Sequence, residues 1–284
     1  MKITGHQKQI DMFLTAVRGG RLHSSYLFVG QSGIGKRRVA LYLAQMLNCL
    51  KNKGEGYPCG ECASCRKIET GTHPDVAVLS VLEEKSWISI EQIREMISGL
   101  QYRALSGGYN VRIIDDAHLI KEDAANSLLK ILEEPPANTV IILITPAPRS
   151  LPPTILSRCL LVKFGIFSDS VIRKEIERFS LDAAERDTVV SLSMGSLGRA
   201  LAMAGDRGMI SRYADITGDF LGRKLPGVRV DRKETLDFLG MLASRMRVED
   251  IAKLEAVLRA QNDIRRNVNV DLALEVLRMD MAGE

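Results

Sequence analysis

A glycine-rich segment between a predicted strand and a predicted helix constrains this chain more than any other feature of its sequence. Residues 25–29 form a compact apolar run that ends in glycine, as a buried strand does. Residues 35–47 follow with apolar side chains at helical spacing. The segment between them, GQSGIGK, therefore has the strand-to-helix context in which G-x-x-x-x-G-K predicts a phosphate-binding loop.

The residues of this loop have distinct expected roles. Glycines let the backbone curl so that its N–H groups and the N-terminus of the helix face a polyphosphate. The lysine would reach the outer phosphates. Binding of ATP or ADP is one interpretation, and a loop without nucleotide is the alternative. The residues expected to face the phosphates are Gly30, Gly33, Gly35 and Lys36.

Two departures near this motif argue against hydrolysis. A working loop has Ser or Thr after the lysine, whose hydroxyl binds Mg²⁺, whereas this chain has Arg37, which is a cation with no acceptor atom. Asp115 and Asp116 follow the predicted strand 110–114, and Asp116 stands where hydrolytic ATPases of this type usually carry Glu. We therefore assign Arg37, Asp115 and Asp116 to the nucleotide site and expect hydrolysis there to be weak or absent.

The first two thirds of the chain alternate predicted helices and strands. A capping-box pattern opens one helix at Ser89, and another helix stops at Pro135. Strands that alternate with helices favour an α/β fold with a parallel sheet covered on both faces. The predicted strands are 25–29, 75–81, 110–114 and 139–144, and the predicted helices include 7–17, 35–47 and 122–134.

Composition limits the classes of protein that this chain can belong to. Its 284 residues are 45% hydrophobic and 26% charged, the balance of a globular protein of about two domains. The longest aliphatic stretch, residues 140–144, is much shorter than the roughly 20 residues of a membrane span, and no apolar signal core opens the sequence. We expect a cytoplasmic protein without a membrane partner. The net charge of +4 permits nucleic-acid contact without arguing for it.

Four of the five cysteines fall in a short insertion after the phosphate-loop helix. Their spacing, C-x₉-C-x₂-C-x₂-C, suits four thiolates around one tetrahedral Zn²⁺. A closed shell of thiolates has no open position for substrate, so we expect a structural zinc ion. Free cysteines in a loop are the alternative. The predicted ligands are Cys49, Cys59, Cys62 and Cys65.

The segment from residue 114 to residue 159 resembles one protein family. Its LLKILEEPP and ILSRC sequences are highly specific to the AAA+ clamp-loader subunits of bacterial DNA polymerase III. Residues 21–28 and 267–275 also resemble that family. The resemblance implies three domains: an AAA+ P-loop domain at 1–165 with the zinc module at 49–65, a helical lid at 166–208, and an all-α C-terminal collar domain at 209–284.

Two kinds of subunit compete within this family. The motor subunits, gamma and tau, carry Thr after the loop lysine, Glu in the second acidic position, and Arg in a lid motif called sensor 2. This chain has Arg37, Asp116 and Gly198 at those positions. The three departures resemble the delta-prime subunit, which is the stator of the loader. An ATP-hydrolysing gamma/tau-type motor is the alternative.

The resemblance implies two further site residues. Arg158 matches the arginine of the Ser-Arg-Cys motif, which reaches into the ATP site of the neighbouring subunit. A guanidinium supplied in trans stabilises charge on the γ-phosphate and contributes about 10³ to 10⁵ in rate. The alternative is an Arg158 held in an ion pair on its own surface. Thr145 matches the sensor-1 position, where its role is either catalytic or only structural.

The resemblance also implies the partners. They are the gamma/tau motor subunits and the delta wrench subunit, and, through the complex, the sliding clamp and primer–template DNA. It implies no polymerase activity of the chain's own, and the sequence leaves its class as an enzyme undecided. Alternatives from other classes are an independent ATPase and a DNA-binding protein that reads sequence with the zinc module. The latter lacks a recognition-helix pattern near the cysteines.

Overall fold

The computed structural model divides into two compact units. The first comprises Met1–Ser168 with Ser196–Gly198, and the second comprises Asp169–Gly195 with Arg199–Glu284. Much of the predicted C-terminal domain at 209–284 lies outside the described residues, namely 211–234, 237–238, 241–250, 266–267 and 283–284. The structure describes residues 3–82, 86–100, 104–106, 108–210, 235–236, 239–240, 251–265 and 268–282.

A parallel sheet forms the centre of the first unit. Its strands are β1 Ser25–Val29, β2 Val76–Leu79, β3 Asn110–Ile114, β4 Thr139–Thr145 and β5 Leu160–Lys163. They lie in the order β2-β3-β4-β1-β5, and each neighbouring pair is parallel. Connections between parallel neighbours need crossovers, and helices supply them. The predicted α/β class is confirmed.

The edge strand β5 was missed by the sequence analysis. It has four residues, of which only Val162 is buried. Such a short segment shows neither the continuous apolar burial of a central parallel strand nor a clear alternation. Among the described strands it pairs with β1 alone, so the phosphate loop that follows β1 lies near this edge of the sheet.

The helices of the first unit follow the predicted order, with two short additions at residues 63–69 and 153–156. The capping box at Ser89 is present, because its hydroxyl accepts from the Gln92 N–H and the Gln92 side chain accepts from the Ser89 N–H. The helix α3 lies at the end of the cysteine-rich insertion, where the sequence predicts none. The helices are α1 Gln7–Arg18, α2 Lys36–Asn48, α3 Ala63–Glu69, α4 Ile90–Ser98, α5 Glu122–Glu133 and α6 Pro153–Leu156.

Alternate residues of β1 face opposite layers of helices, as the period of a strand requires. Tyr26 and Phe28 pack against Phe13 of α1, with ring centroids 5.3 and 5.5 Å away. Leu27, between them, belongs to an apolar cluster that includes Leu128 of α5. Burying side chains of this size contributes about 1.5 to 3 kcal/mol each. The sheet is thus covered on both faces, and the strand before the phosphate loop is fixed from both sides.

A buried polar network connects α3 with the segment that leads into β2. The Asp75 carboxylate accepts from the backbone N–H groups of Leu105 and Ser106 at 2.7 and 2.8 Å. His73 Nδ1 accepts from the Asp75 N–H at 3.1 Å. The protonated Nε2 of His73 therefore donates to the Ser64 hydroxyl of α3, 3.0 Å away. The network holds the cysteine-rich insertion to the sheet.

The described part of the second unit is helical and contains no strand. Its helices are α7 Asp169–Ile176, α8 Ala183–Ser193, α9 Leu197–Gly205, α10 Ile251–Arg265 and α11 Val270–Ala282, where the first two residues of α9 belong to the first unit. The helices α10 and α11 pack against each other. The division of this region at residue 208 into a lid and a C-terminal domain stays a prediction. No helix in the described ranges is long and apolar enough to cross a membrane.

Replacing Asp75 with Asn is expected to lower the free energy of unfolding by about 1 to 3 kcal/mol, because the amide has one acceptor oxygen for two backbone N–H groups. Asp11→Asn is the matched control, since Asp11 is exposed and its carboxylate accepts a bond from Gln7. The control should change stability by no more than about 0.5 kcal/mol. Urea denaturation measures both effects, and equal losses in the two variants would contradict the role of Asp75.

Candidate functional site

The predicted phosphate loop follows β1, and its backbone requires the three glycines of the motif. Gly33 and Gly35 have φ values of +76° and +98°, which residues with a Cβ rarely adopt. A Cβ at Gly30 would lie 2.6 Å from the carbonyl oxygen of Phe164. Gly35 is also the N-cap of α2. The loop therefore has the curled backbone, followed by a helix N-terminus, that binds polyphosphates in other proteins.

The Lys36 side chain is folded back against this loop. Its Nζ donates to the carbonyl oxygens of Gly30 and Gln31 at 2.5 and 2.7 Å, and the residue is only 6% exposed. Burial lowers the pKa of Lys36 to about 8, although the charges of Asp115 and Asp116 act to raise it. The ammonium group is thus still charged at neutral pH, and its contact with the outer phosphates stays a prediction.

Arg37 forms an ion pair with the acidic residue at the end of β3. Its Nη1 lies 3.7 Å from Oδ2 of Asp115, and the two side chains are 53% and 21% exposed. Burial raises the pKa of Asp115, and Asp116 raises it further, whereas Arg37 and Lys36 act to lower it. Asp116 has a left-handed backbone and donates its N–H to Oδ1 of Asp115 at 3.1 Å. The structure therefore brings Lys36, Arg37 and Asp115 together.

Thr145 ends β4 beside the phosphate loop. It is fully buried, and its carbonyl oxygen accepts from the Gly30 N–H at 3.3 Å. Its hydroxyl accepts from the Ala147 N–H at 3.0 Å. The hydroxyl is thus engaged within the chain, and a sensor role for it stays a prediction.

Arg158 makes its contacts with another set of residues. Its Nε donates to Oε1 of Glu133 at 2.8 Å, and its Nη2 forms an ion pair with the same oxygen. Its Nη1 donates to the Thr154 carbonyl at 2.8 Å. The Arg158 and Glu133 side chains are 33% and 49% exposed. These contacts match the alternative of an ion pair on the chain's own surface, and action on a neighbour stays a prediction.

Residues 196–198 contact the carbonyl side of the phosphate loop. The Ser196 hydroxyl donates to the Ser32 carbonyl at 3.0 Å, and the Gly198 N–H donates to the Gly33 carbonyl at 2.7 Å. A Cβ at residue 198 would lie 2.7 Å from that same oxygen. The backbone therefore excludes any side chain at Gly198, the position where the resemblance implies an arginine in motor subunits.

The four predicted zinc ligands form one cluster, in which all four Sγ atoms lie within 4.8 Å of one another. In a tetrahedral site with Zn–S bonds of about 2.3 Å, the sulfurs would be about 3.8 Å apart. The N–H groups of Cys59, Cys62 and Cys65 donate to Sγ of Cys49, Cys59 and Cys62 at 3.4, 3.3 and 3.5 Å. The donor set and its spacing fit a zinc ion.

Two features of the surroundings also suit a metal site. Burial acts to raise the pKa of the Cys62 thiol, but hydrogen bonds from the N–H groups of Cys65 and Leu50 outweigh it and bring the pKa to about 6, whereas burial raises the pKa of the Cys65 thiol. A thiolate is the form that binds zinc. Gln45 of α2 is fully buried and donates Nε2 to the carbonyl oxygen of Cys65 at 2.9 Å. The phosphate-loop helix is therefore bonded directly to the cysteine cluster.

Sequence reasoning missed three residues that contact the predicted sites. Glu133 binds Arg158 and lies in the LLKILEEPP segment, so a search for acidic partners in that segment would have found it. Gln45 lies on the buried side of α2 one helical turn before Cys49, which is a weaker signal. Ser196 binds Ser32 across 164 residues, and no local pattern indicates such a contact.

Comparison with known families agrees with this geometry. A family model described as DNA polymerase III, delta subunit, matches residues 5–167, which is more than half of the chain. The chain belongs to this family. The matched region contains the predicted site residues, namely those of the phosphate loop, the cysteine cluster, the acidic pair and Arg158.

Curated relatives carry two kinds of subunit name. The DNA polymerase III subunit tau of Salmonella typhimurium is 36% identical over 175 residues, which cover 62% of this chain and 27% of the relative. The DNA polymerase III subunit delta' of Pseudomonas aeruginosa is 41% identical over 144 residues, which cover 50% of this chain and 44% of the relative. The chain thus spans less than half the length of these relatives, which do not distinguish the two subunit types.

A solved structure of a RuvB mutant from Thermotoga maritima shares the fold. It superposes with a TM-score of 0.50 at 16% identity, over 98% of this chain and 88% of that one. A likeness at this identity concerns the fold alone. Together with the parallel sheet and the phosphate loop between β1 and α2, it confirms the predicted AAA+ fold.

Replacing Lys36 with Met is expected to raise the free energy of unfolding by about 1 to 3 kcal/mol at neutral pH, because the variant lacks a buried ammonium group. The pKa of Lys36 falls from 10.5 to about 8 on folding. The folded state thus binds the proton less tightly, and this penalty is complete below about pH 8 and lost as the pH rises toward 10.5.

Urea denaturation of both proteins at pH 7 and at about pH 10 measures this effect. The stability gain of Lys36→Met should shrink at the higher pH. Lys8→Met is the control, because Lys8 is exposed and its loss should have little effect at either pH. A gain that does not change with pH would show that the Lys36 charge is not its cause.

Proposed function

We propose that this chain is a delta-prime-like stator subunit of the DNA polymerase III clamp loader, which helps the ATP-dependent loading of the sliding clamp onto primed DNA. The observation that carries the proposal is that the chain has the arginine of the Ser-Arg-Cys motif, whereas its own nucleotide site has an altered metal position. Arg158 is partly exposed, whereas Arg37 is paired with Asp115. The chain would support hydrolysis at a neighbouring site and perform little or none itself.

The contacts of Arg158 are compatible with transfer to a neighbouring ATP site. Its ion pair with Glu133 is about half exposed, and such pairs contribute only about 0 to 1 kcal/mol. A γ-phosphate carries more negative charge than one carboxylate and offers three acceptor oxygens. Arg158 would therefore exchange Glu133 for phosphate at little cost, while Glu133 holds the guanidinium extended in the free subunit.

Three features support weak or absent ATPase activity of the chain's own site. Arg37 stands in place of the residue whose hydroxyl binds Mg²⁺, and its guanidinium forms an ion pair with Asp115. Asp116 is one methylene shorter than the Glu that orients water in hydrolytic relatives. At Gly198 the backbone contact with Gly33 leaves no room for a sensor-2 arginine. No polymerase activity is attributed to the chain itself.

The cysteine cluster would hold one structural zinc ion through Cys49, Cys59, Cys62 and Cys65. A metal bound by four thiolates would cross-link the end of α2 with the start of α3. It would thereby stabilise an insertion that is otherwise held by a few hydrogen bonds. Zinc of this kind supplies folding energy rather than chemistry.

The proposed role also implies partners and a location. The partners are the gamma/tau motors and the delta wrench, and, through the complex, the sliding clamp and primer–template DNA. The collar domain at 209–284 would join the ring, and the lid at 166–208 would follow the AAA+ domain at 1–165. A replication role of this kind places the protein in the cytoplasm.

A gamma/tau-type motor is the second candidate. Two observations favour it: the phosphate loop retains all three glycines and the lysine of the motif, and several relatives carry the names tau and gamma. Hydrolysis by the isolated chain separates the two proposals. Turnover of about 1 s⁻¹ or more, within the usual range of enzymes, would favour the motor.

Replacing Arg158 with Ala is expected to reduce clamp- and DNA-stimulated ATP hydrolysis by a loader reconstituted with motor subunits. The neighbouring site would lose a charge that contributes about 10³ to 10⁵ in rate where it acts. Arg149→Ala is the matched control, since Arg149 is exposed and outside the proposed site. Size-exclusion chromatography confirms that each complex assembles. Hydrolysis at the wild-type level in the assembled Arg158→Ala complex would disprove the finger role.

Metal analysis of the purified chain is expected to find about one zinc ion per molecule. The double variant Cys62→Ser with Cys65→Ser should lose the metal and unfold at a lower temperature, because two of four thiolate ligands are gone. Cys159→Ser should retain the zinc, since Cys159 packs beside the apolar cluster of the sheet. Retention of zinc by the double variant would contradict the proposed ligand set.

A further inference from the structure

The ion pair between Arg37 and Asp115 lies where nucleotide-hydrolysing relatives of this fold hold Mg²⁺. In such sites the metal lies between the residue after the loop lysine, the acidic residue at the end of the strand, and the phosphate oxygens. Here Nη1 of Arg37 is 3.7 Å from Oδ2 of Asp115. The guanidinium therefore places a positive charge next to the carboxylate that would otherwise help to bind Mg²⁺, and it would repel the metal. The residues present therefore do not fit a magnesium ion.

The same residues still fit phosphate. Lys36 is buried and charged, the glycines give the loop a curled backbone that leads into the helix N-terminus, and the Arg37 side chain is 53% exposed. Guanidinium has five N–H donors in a planar fork that matches phosphate oxygens. One edge faces Asp115, and the others have room to reach a ligand. Arg37 can thus link the Asp115 carboxylate to a phosphate, as the metal does in a hydrolytic site.

We propose that this phosphate loop binds nucleoside di- or triphosphate in its metal-free form, with Arg37 in the position of Mg²⁺. This proposal rests on the proposed function, because it concerns the nucleotide that the stator's own phosphate loop accepts. Lys36 would leave the carbonyl oxygens of Gly30 and Gln31 and turn its ammonium toward the phosphates. Without a metal to bridge the β- and γ-phosphates and neutralise their charge, the bound nucleotide would stay intact.

The effect of Mg²⁺ on nucleotide affinity distinguishes this site from a phosphate loop that binds the metal, because the two effects have opposite signs. Mg²⁺ forms a complex with nucleotide in solution and lowers the concentration of the free form. Binding to a metal-free site therefore weakens when Mg²⁺ is added, whereas binding to a site with a magnesium ligand strengthens. Arg37→Thr restores the hydroxyl and removes the guanidinium, so its metal dependence should have the opposite sign to that of the native chain.

The experiment is a titration of the full zinc-loaded chain with ADP by isothermal calorimetry. One arm uses buffer freed of divalent cations on a chelating resin, because a dissolved chelator would compete for zinc, and the other contains excess MgCl₂. The native chain should bind ADP at least as tightly without Mg²⁺ as with it. Arg37→Thr should bind about tenfold more tightly with Mg²⁺ than without.

Two further variants complete the design. Arg37→Ala, which lacks both the guanidinium and the hydroxyl, should bind weakly in both buffers. Arg38→Thr should behave as the native chain, since Arg38 is the next residue of the same helix and is exposed. Thermal unfolding confirms that each variant is folded. The inference is overturned if the native chain needs Mg²⁺, binds no ADP in either buffer, or responds to Mg²⁺ as Arg37→Thr does.

Failure of this inference and failure of the proposed function give different results. Magnesium-dependent turnover of ATP by the isolated chain contradicts the stator role. A chain that neither hydrolyses nor binds nucleotide contradicts only the metal-free site. The Arg158→Ala variant should keep its ADP affinity in both buffers, because Arg158 contacts Glu133 and not the phosphate loop.

Discussion

The helix α2 is fixed at both of its ends, and the positions of two candidate sites depend on this double attachment. At its start, Lys36 is buried and bonded to the loop carbonyls. Near its end, Gln45 bonds to Cys65, and Asn48 exchanges hydrogen bonds with the backbone of Tyr109 before β3. A helix of this length spans about 20 Å. The phosphate loop and the cysteine cluster are therefore separate sites on one rigid element.

Burial separates the roles of the basic side chains in the first unit. Lys36 is almost fully buried, and its charge is disfavoured there unless acidic or phosphate groups lie close by. Arg37 is about half exposed and neutralises Asp115. Arg158 is also partly exposed, and its partner Glu133 is open to solvent. Lys36 is thus confined to contacts within the loop, whereas exposed pairs such as Arg158 with Glu133 contribute little to stability.

Local patterns predicted much of this structure. The strand, loop and helix around Gly30 to Lys36 follow from glycines and apolar spacing, and the cysteine spacing predicted a cluster that the structure forms. Contacts between distant segments were not predictable in this way. The bond from Ser196 to Ser32 and the packing of Gly198 on Gly33 depend on the path of the chain through space. The edge strand β5 was missed because a four-residue strand with one buried side chain leaves almost no periodic pattern in the sequence.

The close approach of Gly198 to Gly33 also bears on how such a chain can change over evolutionary time. Thr at residue 37 would need only an exchanged side chain, and Glu at residue 116 would in addition have to adopt the left-handed backbone of Asp116. Any residue with a Cβ at 198 would meet a carbonyl oxygen 2.7 Å away, so the main chain itself would have to be rerouted. A side chain at residue 198 is therefore excluded by the path of the main chain, so a change there requires the phosphate loop to move as well.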